Sequence, residues 1–333
     1  MLRGLTWDHP RGYAPLDALS LPVRWDRQSL EGFESAPIAG LAADYDLMII
    51  DHPGLGDAVA AGSLLPFEEL LAPEELASWR SSSAGASFDS YTVDGRQWAL
   101  PIDAATQVAV TTLPEAPRTW AQARQVDTAL CLGGPHALLT FWSICLAHGA
   151  TPPEVPRPVG VLALELMAEL RGREQWWRLN PIGLLEAMAS GAGPAYCPVV
   201  YGYVGYADRL TFADTPTVHG RHGSVLGGTG LAVSALRDVN RAQAARVARA
   251  LISPRVQREV FVAAGGQPAD AEVWRTNGFH ADTLSTMEDA WVRPRRQGYI
   301  KFQTEASALL RENLGAMPPH RLLAELENLG RNG

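Results

Sequence analysis

The stretch Tyr45-Asp46-Leu47-Met48-Ile49-Ile50 ends in four consecutive apolar residues and stops at Asp51-His52-Pro53-Gly54. A strand with one wet face alternates polar and apolar side chains, so a run without alternation needs cover on both faces. That requirement selects a sheet sandwiched by helices. The neighbouring segments agree: Leu2 to Trp7 is a short apolar strand closed by the turn-prone Asp8-His9-Pro10-Arg11-Gly12, a helix is expected from Pro15 onward, Val23 to Asp26 reads as a second strand, and helical patterning returns at Gly56 to Ala61. Strand, loop and helix in alternation specify a parallel α/β sheet, in which the loops at the carboxyl ends of the strands line the ligand crevice. Trp7 to Tyr13 and Asp51 to Gly54 are two such loops.

From Tyr91 the chain turns to hairpin chemistry, with Tyr91-Thr92-Val93, a tight Asp94-Gly95 turn, then Gln97-Trp98-Ala99-Leu100 closed by Pro101. Pro101-Ile102-Asp103 leads into a strand at Thr106 to Thr112, and Thr128 to Leu132 reads as another. A second α/β unit follows, with helices at Ala137 to His148, Val161 to Leu170 and Pro181 to Ser190 and a strand at Ala195 to Tyr201. Gly220 to Gly230 is a glycine-dense crossover, Leu231 to Ser234 a strand, and Val239 to Leu251 an amphipathic helix. Helix dominates from Ser285 to the end.

At 333 residues the chain exceeds what one small core holds, which makes two packed units the natural expectation. Lys and Arg number 28 against 36 Asp and Glu, a formal charge of -8 that argues against a nucleic-acid footprint or an anionic membrane surface. Lys301 is the one lysine, so a Walker-type GK[ST] loop is excluded. Cys131, Cys145 and Cys197 show no paired spacing and read as small buried hydrophobes. The first ten residues carry neither a long apolar segment nor a small-residue cleavage site, so no export signal is visible there.

Four short patterns then occur in order. Leu47-Met48-Ile49-Ile50-Asp51 is followed by Ala61-Gly62-Ser63-Leu64-Leu65-Pro66-Phe67, and later by the hairpin Asp94-Gly95-Arg96-Gln97-Trp98-Ala99-Leu100-Pro101. Next comes the glycine-rich Gly227-Gly228-Thr229-Gly230-Leu231-Ala232-Val233-Ser234. The fourth is Ala250-Leu251-Ile252-Ser253-Pro254-Arg255-Val256-Gln257, completed by Gly265-Gly266-Gln267-Pro268. Together these resemble the family-1 extracellular solute-binding proteins of ABC importers, the maltose-binding-like group. The resemblance implies an α/β, two-lobed periplasmic-binding-protein type II fold. Residues 1–105 plus about 228–280 would form lobe 1, and about 106–227 plus 281–333 lobe 2. Hinge crossings are expected near 101–110, 222–230 and 270–285. It also implies a monomer without catalytic residues, metal or cofactor, ABC permease subunits as partners, and a periplasmic setting, with the cytoplasm as the alternative.

A hinged binding protein holds its solute with polar groups on loops and with ring faces. Trp7, Asp8, His9 and Arg11 follow the first strand, Asp51 and His52 the buried one, and Asp103 with Gln107 the hairpin exit; Tyr201 and Tyr203 alternate beyond the later strand, and Gly228 and Thr229 fall in the glycine-rich pattern. These twelve are the candidate ligand residues for a small neutral carbohydrate or polyol. Asp51 and His52 could instead cap the next helix, Asp103 could be a turn residue, and Tyr201 with Tyr203 could face a core. Two rival readings keep the fold: an aromatic cage for a betaine-like quaternary ammonium, drawing on ten tryptophans and eight tyrosines, and a cytoplasmic enzyme or sensor. Cys131 with His136, His219 with His222, and Gly54-Leu55-Gly56 are the weak signals for nucleophilic, metal and dinucleotide chemistry respectively.

Overall fold

The computed structural model describes residues 1–332. Its strands in chain order are β1 (Leu2–Trp7), β2 (Val23–Gln28), β3 (Leu47–Ile50), β4 (Leu64–Leu65), β5 (Thr92–Val93), β6 (Arg96–Gln97), β7 (Ala99–Thr111), β8 (Tyr196–Tyr201), β9 (Thr211–Ala213) and β10 (Leu226–Ser234). Two compact units emerge. Unit 1 comprises Met1–Ala105, Gly227–Asn277 and Val292–Ile300, and unit 2 comprises Thr106–Leu226, Gly278–Trp291 and Lys301–Gly333. β7 and β10 each begin in one unit and end in the other.

In unit 1 the sheet order is β2-β1-β3-β10, with β4 also on β10. β1 pairs in parallel with β2 and β3, whereas β10 returns antiparallel to β3 with Gly230 opposite Ile50. β3 is buried at all four positions, as its unbroken apolar run demanded. Its cover includes Ile38, Ala42, Leu55 and Ala58 from the helices Ile38–Asp44 and Leu55–Ala60, together with Tyr91 and Trp98. In unit 2, β7 pairs antiparallel with β8 and β9, and a parallel bridge joins Thr128 to Tyr196. The helix His136–Ala147 buries eleven of its twelve residues, which explains why its sequence shows no polar stripe.

Three local readings change. The first helix starts at Pro10 rather than near Pro15, because His9 caps it by accepting the Arg11 N–H and proline is favoured at a first helical position. Pro101 does not end a strand: β7 runs through it for thirteen buried residues. Thr128 to Leu132 contributes a single bridge in place of a full strand.

The segment Val292–Ile300 lies in unit 1, although the sequence reading grouped 281–333 together. Its anchors are specific. Arg293 binds Asp51, the Gly298 N–H donates to Asp57 at 3.0 Å, and a Cβ placed on Gly56 would stand 2.3 Å from the Arg296 carbonyl carbon. Gly54-Leu55-Gly56 therefore admits a crossing backbone, a packing reason for glycine at Gly56.

Candidate functional site

The carboxyl ends of β1 and β3 carry the first group of candidate residues. Gly12 lets the Trp7 indole lie beneath the first helix, since a Cβ there would fall 2.3 Å from the indole Nε1. The indole is stacked with two rings, His9 at 5.1 Å and 9° and Phe33 at 5.6 Å and 26°. Trp7 itself is 2% exposed, whereas His9 and Phe33 are half-buried. Burial, reinforced by the Arg11 charge and opposed by Asp8, lowers the His9 pKa to about 4. At neutral pH this imidazole is uncharged, and its Nδ1 accepts the Arg11 N–H at 3.2 Å.

Arg11 leads from the stack into the interior. Its Nε donates to Asp103 Oδ2 at 2.8 Å and its Nη2 to Oδ1 at 2.5 Å, a bidentate pair whose side chains are 6% and 5% exposed. Burial raises the Asp103 pKa, and the attraction of Arg11 offsets this only in part. Asp8 takes the opposite direction: it is exposed and lies 3.8 Å from Arg27 on β2.

Asp51 follows β3 and caps the short turn His52–Gly54 by accepting the His52 N–H at 2.9 Å. The same carboxylate accepts both its ion-pair contacts from Arg293 Nη2, at 2.9 and 2.7 Å. Burial pushes the Asp51 pKa upward, but the Arg293 charge and the bonds to His52 and Arg293 outweigh it and hold it at about 2. His52 is fully buried, edge-on to the Tyr91 ring at 6.0 Å, and burial together with Arg293 lowers its pKa to about 4. Tyr91 lies within electrostatic reach of both carboxylates. Its hydroxyl donates to Ile50 O at 3.1 Å and to Gly228 O at 3.4 Å, and burial with the Asp51 and Asp103 charges raises its pKa well above the ordinary value. Gly228 adopts φ +104 with its α-carbon against Asp103, where a Cβ would meet the Asp103 carbonyl oxygen at 2.5 Å; Thr229 beside it is buried.

Unit 2 holds the other candidates. Gln107 on β7 is fully buried; its Oε1 accepts the Ser143 hydroxyl at 2.6 Å, and its amide Nε2 is without a hydrogen-bond partner among the described residues. Ser224 donates to Gln107 O at 2.6 Å and shares a 2.5 Å contact with the Thr106 hydroxyl. Tyr201 lies opposite Gln107 in the β7/β8 register, half-buried, donating to Leu226 O at 3.3 Å and edge-on to His136 at 5.7 Å. Tyr203 is buried past the strand end, beside the turn Val204–Tyr206, so the expected two-residue alternation ends at Tyr201.

Unit 1 thus holds Trp7, His9, Arg11, Asp51, His52, Asp103, Gly228 and Thr229, with Asp8 exposed beside Arg27, while unit 2 holds Gln107, Tyr201 and Tyr203. Sequence reasoning missed Arg293, Tyr91 and Phe33. The signal for Arg293 was Arg293-Pro294-Arg295-Arg296, a basic run in an acidic chain that no helix face explains.

The weak chemical signals resolve as structure. The Cys131 thiol is buried and donates to Leu179 O at 3.5 Å, and burial raises the Cys145 and Cys197 pKa values. His222 Nδ1 lies 2.9 Å from Thr215 O, and His219 sits in a turn at φ 50. Among the described residues no cluster of three His, Cys, Asp or Glu side chains is placed to hold a metal ion, and no helix is long and apolar enough to cross a membrane.

No family model and no curated protein matches this sequence. Solved structures do match over essentially the full length. A solute-binding protein of an ABC transporter from Thermotoga lettingae, bound with α-D-tagatose, superposes with a TM-score of 0.81 at 16% identity, covering 99% of this chain and 98% of its own. A second from Agrobacterium radiobacter, in complex with ribitol, gives 0.79 at 17% identity and covers 98% and 96%. The maltotriose-binding protein of Thermus thermophilus gives 0.72 at 18% identity and covers 100% of both chains. This chain has the two-lobed α/β fold of the ABC-transporter solute-binding proteins.

Proposed function

We propose that the protein is a solute receptor for a small neutral carbohydrate or polyol, serving an ABC permease outside the cytoplasm. The observation that carries this reading is charge compensation. In unit 1 the Asp103 and Asp51 carboxylates are each bound by a guanidinium, from Arg11 and Arg293, beside the ring stack of His9, Trp7 and Phe33. Such a site offers ring faces and hydrogen-bonding groups without a net charge to neutralise, which suits a polyhydroxylated guest. Fold neighbours carry tagatose, ribitol and D-mannitol, all of that chemistry. Hinge closure on the ligand, the capture mode the resemblance implies, and action as a single chain belong to the same proposal.

A quaternary ammonium fits less well. The Asp103 and Asp51 carboxylates are already bound by Arg11 and Arg293, so neither is free to attract a cation, and the Trp7 ring that would hold it is stacked with His9 and Phe33. A thermal-shift series over monosaccharides, polyols and betaines tests the choice. A bound ligand at a hundred times its dissociation constant adds about 2.7 kcal/mol. We expect stabilisation by one or more neutral polyols and at least a roughly fivefold weaker affinity in His9→Ala. Stabilisation by betaines alone, or turnover of a stabilising solute, would refute the reading.

A further inference from the structure

In unit 2, away from the candidate residues above, a cavity of ≈ 350 Å³ is lined by Arg171, Arg178 and Arg311, with Trp177, Glu312 and the Leu314 to Ala316 turn completing it. The chain carries more acid than base, yet three guanidiniums share this wall. Two of them are fixed by backbone carbonyls rather than by carboxylates. Arg171 Nη1 donates to Leu314 O at 2.7 Å, and Arg311 Nη1 donates to Gly134 O at 2.6 Å and Leu132 O at 3.4 Å. Each of these bonds orients a guanidinium and leaves its charge unneutralised, with Nε and Nη2 still able to donate. Gly315 shapes the turn at φ +79, a left-handed conformation that favours glycine, and its α-carbon packs beside the Arg171 guanidinium.

Arg178 completes the set over the Trp177 ring, its Cζ 4.7 Å from the centroid, and donates Nε to exposed Glu174 at 2.7 Å. It is close enough to Arg311 for the two charges to repel. Burial lowers the Arg311 pKa, Glu312 opposes that effect, and the Arg178 charge adds to it. Like charges anchored side by side on a cavity wall are complementary to an anion that can accept from several of them. The volume corresponds to roughly ten water molecules, so an organic group fits beside the anionic head, against the indole.

We propose that the Arg171, Arg178 and Arg311 cavity is a binding site for a small oxyanion of the phosphate class, inorganic or as the head of a compact organic phosphate. It is independent of the polyol reading. The test is calorimetric titration of the full chain with inorganic phosphate and with phenyl phosphate at constant ionic strength. Binding with a dissociation constant below about 1 mM is expected, weakened about fivefold or more in Arg178→Gln, an exposed position whose loss spares both backbone anchors. Glu312→Gln removes the carboxylate that lines the cavity and should tighten binding about twofold or more, a change of opposite sign that misfolding cannot produce. Absence of heat at about 10 mM phosphate, or affinities indifferent to both substitutions, would overturn the proposal. Binding of polyglutamate without binding of either phosphate would overturn it too, assigning the arginines to an acidic protein surface.

Discussion

Arg293 places Nη2 2.9 and 2.7 Å from the two carboxylate oxygens of Asp51, across 242 positions of sequence. The side chains are 4% and 19% exposed, so removing either partner strands a charge in poorly solvated surroundings, which is worse than removing both. Asp51→Asn is expected to cost about 3 kcal/mol, and adding Arg293→Met should recover part of the loss. Urea denaturation of the two variants and the parent measures this at constant slope. Equal midpoints for parent and Asp51→Asn would show that the pair stabilises nothing.

Acid sensitivity follows from the two histidines. His9 and His52 are both lowered from 6.5 to about 4 in the folded chain, so between those values the unfolded chain binds more protons. Stability present above pH 6.5 is therefore lost as the pH falls toward 4. For the fully buried His52 the loss is about 3 kcal/mol. Below that window Asp51, held at about 2, adds its own loss as it protonates. Melting temperature recorded from pH 7 to pH 4 should fall less steeply in His52→Gln; parallel curves would show that the imidazole titrates alike in both states.

Gly56→Ala is expected to destabilise by about 2 kcal/mol or more, because the new methyl collides with backbone at Arg295 and Arg296, which cannot rotate away as a side chain would. The neighbouring Arg293 pair should loosen with it. Faster hydrogen exchange at residues 292–300, read by mass spectrometry, is the expected signature, and unaltered exchange there would rule out the coupling.

All three cysteines are buried, with the Cys197 pKa raised to about 12 and that of Cys145 higher still. A thiolate is the reactive form, so iodoacetamide at neutral pH should leave the native chain unmodified and label it fully in denaturant. Rapid native labelling at Cys131 would show that its Leu179 contact opens readily.

The sequence disclosed the buried strand, the loops that follow β1 and β3, and the resemblance to a two-lobed fold, because each rests on local pattern. Asp51 and His52 were legible as loop residues; that they are bound by Arg293 was not, since nothing local announces a partner 242 residues later. Arg11 and Asp103 were both named, yet their pairing depends on β7 continuing through Pro101, where a proline was read as an end. Tyr203 shows the converse: its pairing with Tyr201 assumed an extended segment, but the chain leaves the strand at Tyr201, and β8 itself is buried at its first five positions without alternation.

The late arrival of Val292–Ile300 in unit 1 has a consequence for biosynthesis. A ribosome releases Asp51 long before it has made the guanidinium that neutralises it, so the first half cannot reach its final form while the second is still being translated. Any nascent product cut short before Arg293 would leave the carboxylate at the end of β3 with no guanidinium beside it, making translation through that distant arginine a condition for closing the beginning of the chain.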